Sequence, residues 1–375
     1  MIKRTLETKI TDLIHKGKAI ILLGARQVGK TTLLNMLLEN NPDVLWLSGD
    51  SPDIAALFET ANVERFRLFF GNKKIVVVDE AQRIADIGLR LKLITDHIKD
   101  VQLITTGSSA FELSNKLNEP LTGRKWEFKM YPFTFSEMAK HTDFITERRA
   151  INHRLLYGYY PDVVNNPGDE KRILKQLTDS YLYKDILMLE NVKKPEKLIK
   201  LLQALAYQIG NQVSYNELTQ LCGLDNKTIE KYIALLEQAF VIFRLGSFSR
   251  NLRNELRFSR KIYFFDNGVR NALISNFEIP ENRTDVGALW ENFMVSERLK
   301  LNTYRDSWVN SWFWRTTEQQ EIDYLEEADG KLTAWEFKWN PNAKARISKS
   351  FSNAYPDASL HIVHRENFEE FLLEG

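Results

Sequence analysis

The sequence predicts an α/β multidomain protein in three parts: a parallel-sheet P-loop domain, a winged helix-turn-helix, and a nuclease-like α/β domain. Three observations carry this. Short apolar runs alternate with helical segments over the first 165 residues, as in a parallel sheet covered by helices on both faces. A complete G-x-x-x-x-G-K-T stands at Gly24–Thr31. Two acids and a lysine, Asp323, Glu336 and Lys338, occupy successive strand-like runs late in the chain. Breaks at Asn165-Asn166-Pro167-Gly168 and Ile279-Pro280-Glu281-Asn282 set the expected domains at 1–165, 166–283 and 284–375.

In the first part the expected strands are Ala19–Leu23, Val44–Leu47, Lys74–Val78, Gln102–Thr106 and Trp126–Tyr131. The middle three are apolar or β-branched enough to be covered on both faces. Gly24-Ala25-Arg26-Gln27-Val28-Gly29-Lys30-Thr31-Thr32 follows the first strand and opens a helix. Its glycines let backbone N–H groups surround phosphate oxygens, and the helix aims its positive end at the same anion. Lys30 is expected to neutralise β- and γ-phosphate charge, and the Thr31 hydroxyl to ligate Mg²⁺. Ile75–Glu80 is a buried strand ending in two acids. Asp79 is expected to hold Mg²⁺, and Glu80 to polarise the attacking water as general base. Thr106 or Ser108 would sense the γ-phosphate, although a strand-ending turn accounts for them equally. Arg124 opens the fifth strand, where it is either a catalytic arginine, in its own or a neighbouring subunit, or a surface arginine on a turn.

The middle part reads as helix–turn–helix and hairpin. Ser214-Tyr215-Asn216-Glu217 has the form of a capping box, and Asp225 caps a second helix with Ile229, Tyr232, Ile233, Leu235 and Leu236 on one face. Two strand-like runs, Val241–Leu245 and Lys261–Phe265, complete a winged helix. Between them Arg244, Arg250, Arg253, Arg257, Arg260 and Lys261 stand against a single acid, Glu255. Such an excess suits DNA phosphate without reading sequence; the other reading is an inter-domain strut whose arginines pair with acids elsewhere.

In the last part Glu291 lies on an amphipathic helix, and Glu321–Leu325 and Ala334–Trp339 read as strands. Glu336 and Lys338 share one face of their strand, and pairing the two strands brings Asp323 beside Glu336. The acids would hold Mg²⁺ or Mn²⁺, Glu291 would add a third carboxylate, and Lys338 would activate or orient water. This is the D-x(n)-E-x-K layout with twelve intervening residues. An ordinary hairpin with a surface ion pair is the alternative.

Composition limits the function classes. Of 375 residues, 43% are hydrophobic and 27% charged, so disorder along the whole chain is excluded. The 17 Gly and 10 Pro fall well below the usual share of roughly 12%, which disfavours long flexible linkers. A net charge of +1 excludes a polycationic nucleic-acid coat but not a local basic patch. The single cysteine, Cys222, excludes a disulfide framework and a Cys-clustered zinc site. No apolar run approaches the ~18 residues of a membrane span, and Met1–Lys18 is charged and amphipathic, unlike a secretory signal. A cytoplasmic protein without membrane contact is expected.

With these blocks in order, the chain resembles the predicted AAA+/STAND-related ATPases of archaea and bacteria. These are ASCE-type P-loop proteins with a winged helix and a C-terminal restriction-endonuclease-like, PD-(D/E)xK domain. The matching stretches are Gly24–Thr32, Val77–Arg83, Thr106–Ser109, Leu121–Arg124, Tyr131–Glu137, Tyr157–Asp162, Leu289–Phe293, Glu321–Leu325 and Trp335–Lys338. The resemblance implies ATP rather than GTP. One departure is Tyr157-Gly158-Tyr159-Tyr160-Pro161-Asp162, where the family tends to Gly-Gly-x-Pro-Glu. The reading is therefore an ATP-hydrolysing switch that repositions a DNA-binding, nuclease-like module through the wing Arg244–Lys261 and the C-terminal domain. It leaves room for a protein partner and an oligomer. The rival is a non-nucleolytic assembly protein whose C-terminal domain is a docking module.

Overall fold

The computed structural model describes residues 2–108, 121–182, 194–249, 260–316, 318–343 and 348–373. The chain forms two compact units, one of Met1–Pro132 with Gln238–Phe240, the other of Phe133–Glu237 with Val241–Gly375. These units divide the chain at neither 165 nor 283.

The first unit holds a parallel sheet of β1 (Ala19–Gly24), β2 (Val44–Ser48), β3 (Ile75–Asp79), β4 (Gln102–Gly107) and β5 (Lys125–Met130). Its spatial order is β2-β3-β4-β1-β5. Parallel neighbours need crossovers. The helices Lys30–Leu37, Pro52–Thr60, Val63–Phe70 and Ile87–His97 lie in those connections. β1 and β4 are buried throughout, and β3 as far as Asp79, whereas β2 and β5 at the edges are half open. All five expected strands form. The expectation that Val44–Leu47 is covered on both faces is corrected: this edge strand leaves Trp46 38% exposed. An apolar run does not reveal whether its strand is central, because chain order differs from spatial order.

The second unit is built on β6 (Gln212–Val213), β7 (Ile242–Ser247), β8 (Arg260–Phe264), β9 (Asn310–Arg315), β10 (Glu321–Ala328), β11 (Lys331–Lys338) and β12 (Ser359–His364). They form one seven-stranded sheet in the order β12-β11-β10-β9-β7-β8-β6. β7 and β9 pair in parallel through Gly246↔Trp312 and Ser247↔Phe313. Strands from either side of residue 283 thus share a sheet. The helices Pro195–Tyr207, Tyr215–Cys222 and Asn226–Gln238 precede the β7–β8 hairpin, and β6 pairs with β8. Ile229, Tyr232, Ile233, Leu235 and Leu236 are buried as the helical spacing requires. Only half of the expected capping box forms at Ser214, whose hydroxyl accepts from Glu217 N–H. A full one forms at Thr134 and Glu137, which accounts structurally for Tyr131–Glu137.

The turn after the helix Ile151–Tyr157 is also structural. Gly158 has φ +71°, and a Cβ there would lie 2.1 Å from Asp266 Oδ1. Tyr159 N–H donates to Asp266 Oδ2 at 2.7 Å, and Asp266 caps the helix Asn267–Leu273 through Val269 N–H. Gly158→Ala combines left-handed backbone with a collision against a buried carboxylate. It is expected to cost at least roughly 2 kcal/mol, read as a lowered thermal midpoint.

Candidate functional site

The loop Gly24–Thr32 leaves the C-terminal end of β1. Gly24 cannot carry a side chain, because a Cβ would stand 2.1 Å from the Met130 carbonyl oxygen on β5. Gln27 and Gly29 take positive φ, 61° and 94°, which curls the backbone before the helix begins at Lys30. Ala25 and Val28 anchor the loop in the core, whereas Arg26, Gln27 and Thr32 are exposed. Lys30 is 5% exposed and its ammonium donates to the carbonyls of Gly24 and Ala25, each at 2.9 Å.

The Thr31 hydroxyl donates to Asp79 at the end of β3, at 3.0 Å to Oδ2. Because β4 lies between β1 and β3, its Thr106 stands beside the same acid. The Thr106 hydroxyl donates to Asp79 Oδ1 and accepts from Glu80 N–H at 3.1 Å. A threonine has one proton to give, and here Thr106 gives it to Asp79. Glu80 has φ 50°, and its Oε2 accepts from Gln82 Nε2 at 2.5 Å and from the Ser108 hydroxyl at 3.2 Å. Thr31 and Asp79 together offer the hard oxygen donors Mg²⁺ prefers.

Arg124 does not join this site, and its assignment as a catalytic arginine in its own subunit is corrected. The register Ala19↔Lys125 and Gly24↔Met130 puts Arg124 at the opposite end of the parallel sheet from the loop. Six residues at ~3.3 Å each place it about 20 Å away. It bonds Asp96 at 2.6 Å and holds that carboxyl below its ordinary range.

In the second unit the expected acids do converge. The register Tyr324↔Trp335 sets Asp323 opposite Glu336 one step on, and Asp323 Oδ2 accepts from Phe337 N–H at 2.8 Å. Lys338 Nζ lies 2.8 Å from Glu336 and 3.9 Å from Asp323. Glu336 is 8% exposed; burial first and the Asp323 charge second push its carboxyl up to about 7, against the pull of Lys338. Burial opposes the Lys338 charge, but the acids around it hold that ammonium above the ordinary lysine range.

Glu291, on the helix Val286–Tyr304, is answered by other groups. Lys261 Nζ approaches it at 2.8 Å and the Tyr263 hydroxyl donates to it at 2.6 Å. Burial, partly offset by Lys261, lifts the Glu291 carboxyl to about 7. Lys261 is 1% exposed, also pairs with Glu321, and is held above its ordinary range by these acids although burial works the other way. Among the described residues no group of three or more His, Cys, Asp and Glu side chains is arranged to hold a metal ion. Both contacts fall on Glu291 Oε1, and the Asp323 charge raises the Glu291 carboxyl as the Glu291 charge raises that of Glu336, so the helix carboxylate stands with the two strand acids. Asp323 and Glu336 offer a divalent cation hard oxygen donors on neighbouring strands.

The basic wing is corrected in two places. Lys261 is buried among acids, and Arg244 is bound to Glu237, at 2.8 Å through Nε. Neither is offered to phosphate. Arg250, Arg253 and Arg257 lie outside the described residues. The residues sequence reasoning missed are Gln82, Lys261 as an ion-pair partner, Tyr263 and Glu321. Alternation along β8 puts Lys261 and Tyr263 on one face and was the available signal.

Residues 16–139 match the family model of an AAA domain. Residues 148–279 and 286–372 match two domains of unknown function, DUF8612 and DUF4143. Uncharacterized proteins of Mycobacterium tuberculosis and Methanocaldococcus jannaschii are 23% and 22% identical over 363 and 387 residues. The alignments take in 96% and 97% of this chain, and 78% and 84% of theirs. A Walker-type ATPase of Pyrococcus abyssi superposes with a TM-score of 0.52 at 16% identity, over 73% of this chain and 96% of that one. That likeness is one of fold. Among the described residues no helix is long and apolar enough to cross a membrane.

Proposed function

We propose that the chain hydrolyses ATP and acts as a nucleotide-driven switch. The observation carrying this is the meeting of Lys30, Thr31, Asp79 and Glu80 at the C-terminal ends of β1 and β3. Lys30 would exchange two loop carbonyls for β- and γ-phosphate oxygens, a stronger charge-assisted pairing. Thr31 and Asp79 would hold Mg²⁺, which when bound neutralises charge shared by the two phosphates. Thr106 fixes Asp79 and the Glu80 backbone, so the base is presented from a rigid strand end. Glu80 would take the proton of the attacking water. Phosphate release from ATP and Mg²⁺ by the purified chain tests this. A rate no higher than that of Lys30→Ala overturns it.

A second reading, favoured by the convergence of Asp323, Glu336 and Lys338, is metal-dependent DNA cleavage by the second unit. Helix, β6, two helices and the β7–β8 hairpin follow one another as in a winged helix, which supports a DNA partner. Lys338 would orient the attacking water beside the paired acids. Plasmid nicking with Mg²⁺ or Mn²⁺, with and without ATP, is expected for the native chain. It should be lost in Asp323→Ala while ATP hydrolysis persists. No cleavage under any of these conditions favours a docking module instead.

A further inference from the structure

We infer that Gln82 is a positioning residue for hydrolysis, which with Ser108 fixes one oxygen of Glu80 so that the other faces the water. This rests on the ATPase reading above. Gln82 follows Glu80 by two residues in the one-turn helix Ala81–Arg83, and its side chain is buried. Its Nε2 donates to Glu80 Oε2 at 2.5 Å and to the Ser108 hydroxyl at 2.9 Å; that hydroxyl in turn donates to the same carboxylate oxygen at 3.2 Å. The three groups close a ring on Oε2. Among the described residues Oε1 has no hydrogen-bonding partner, so one carboxylate oxygen is fixed and the other is presented.

The amide orientation follows from chemistry. Flipped, it would set the Gln82 oxygen against a carboxylate oxygen at 2.5 Å. As oriented, Gln82 Oε1 is buried and has no hydrogen-bond partner. A water donating one proton to Glu80 Oε1 keeps a lone pair for the γ-phosphorus. As the water oxygen bonds to that phosphorus, one proton passes to Glu80. The bond from phosphorus to the β–γ bridging oxygen breaks, and its electron pair leaves on ADP. Glu80 then returns its proton to solvent.

Gln82→Met keeps the length and volume but removes donor and acceptor. Expected is a fall in kcat of about 10- to 100-fold, the scale of a misplaced reacting group, with KM and the affinity for a fluorescent ATP analogue within about twofold of wild type. Gln82→Glu should fall at least as far, because it sets a second carboxylate against Glu80. Ser108→Ala should lose less and Ser108→Thr should recover. If Gln82→Met loses nucleotide binding, the Ser108 pair decides by the same split. Unchanged kcat in Gln82→Met that still binds nucleotide overturns the inference. So does a raised kcat, which would make Gln82 a restraint on the base. Absence of turnover by the wild type fails the ATPase reading itself, and the inference with it.

Discussion

Glu80→Gln is expected to bind ATP as the wild type does and to lose 10²- to 10⁴-fold in kcat, the range of general-base catalysis. The substitution is nearly isosteric, and its amide oxygen can still accept from Gln82 and Ser108, the two donors now on Oε2. The backbone contact is untouched, since Glu80 N–H donates to Thr106 whatever the side chain. What disappears is the capacity to take a proton. Lys30→Ala should differ in kind: with its fixed counter-ion removed, the loop should fail to retain nucleotide, and KM and binding should collapse before kcat can be read. Single-turnover phosphate release beside equilibrium binding separates the two. Hydrolysis by Glu80→Gln within a fewfold of wild type would remove Glu80 from the mechanism.

Legibility in the sequence followed the distance over which each interaction acts. The loop Gly24–Thr32 is contiguous, so its chemistry could be read directly, and Asp79 and Glu80 stood out because a buried strand rarely ends in two acids. Arg124 was misplaced because only strand register distinguishes the two ends of a parallel sheet, and register is absent from local pattern. Lys261 was counted with a basic wing because local charge cannot reveal acids thirty and sixty residues further on, at Glu291 and Glu321. Asp323, Glu336 and Lys338 were legible because period-two alternation carries facing directly. The continuity of the second sheet through β7 and β9 had no such signal, since it joins two segments across a long stretch of intervening chain.

Lys261→Met is expected to be among the most destabilising single changes in the second unit, at about 3–5 kcal/mol near pH 8, the usual cost of removing one partner from a buried ion pair. Methionine nearly matches the lysine stem in volume, so packing alone predicts a small loss. The electrostatic loss falls on Glu291, which among the described residues keeps only the Tyr263 hydroxyl; Glu321 retains Arg315 at 3.2 Å. The pH dependence gives the cause away. The native Glu291 carboxyl titrates at about 7, above the ordinary 4.5, so the folded state holds its proton to higher pH than the unfolded state does. Stability tied to this group therefore falls as pH rises from about 4.5 through 7. Without Lys261 that native value rises further, so the deficit of the variant should be largest at pH 8 and shrink at pH 5, where Glu291 is neutral in the fold. Lys261→Met combined with Glu291→Gln should recover most of the loss at pH 8. Urea unfolding followed by tryptophan fluorescence suits the measurement, because Trp290, Trp308, Trp312, Trp314, Trp335 and Trp339 all belong to this unit, against Trp46 and Trp126 in the other. An equal deficit at both pH values would mean that titration of Glu291 does not set the cost of losing Lys261.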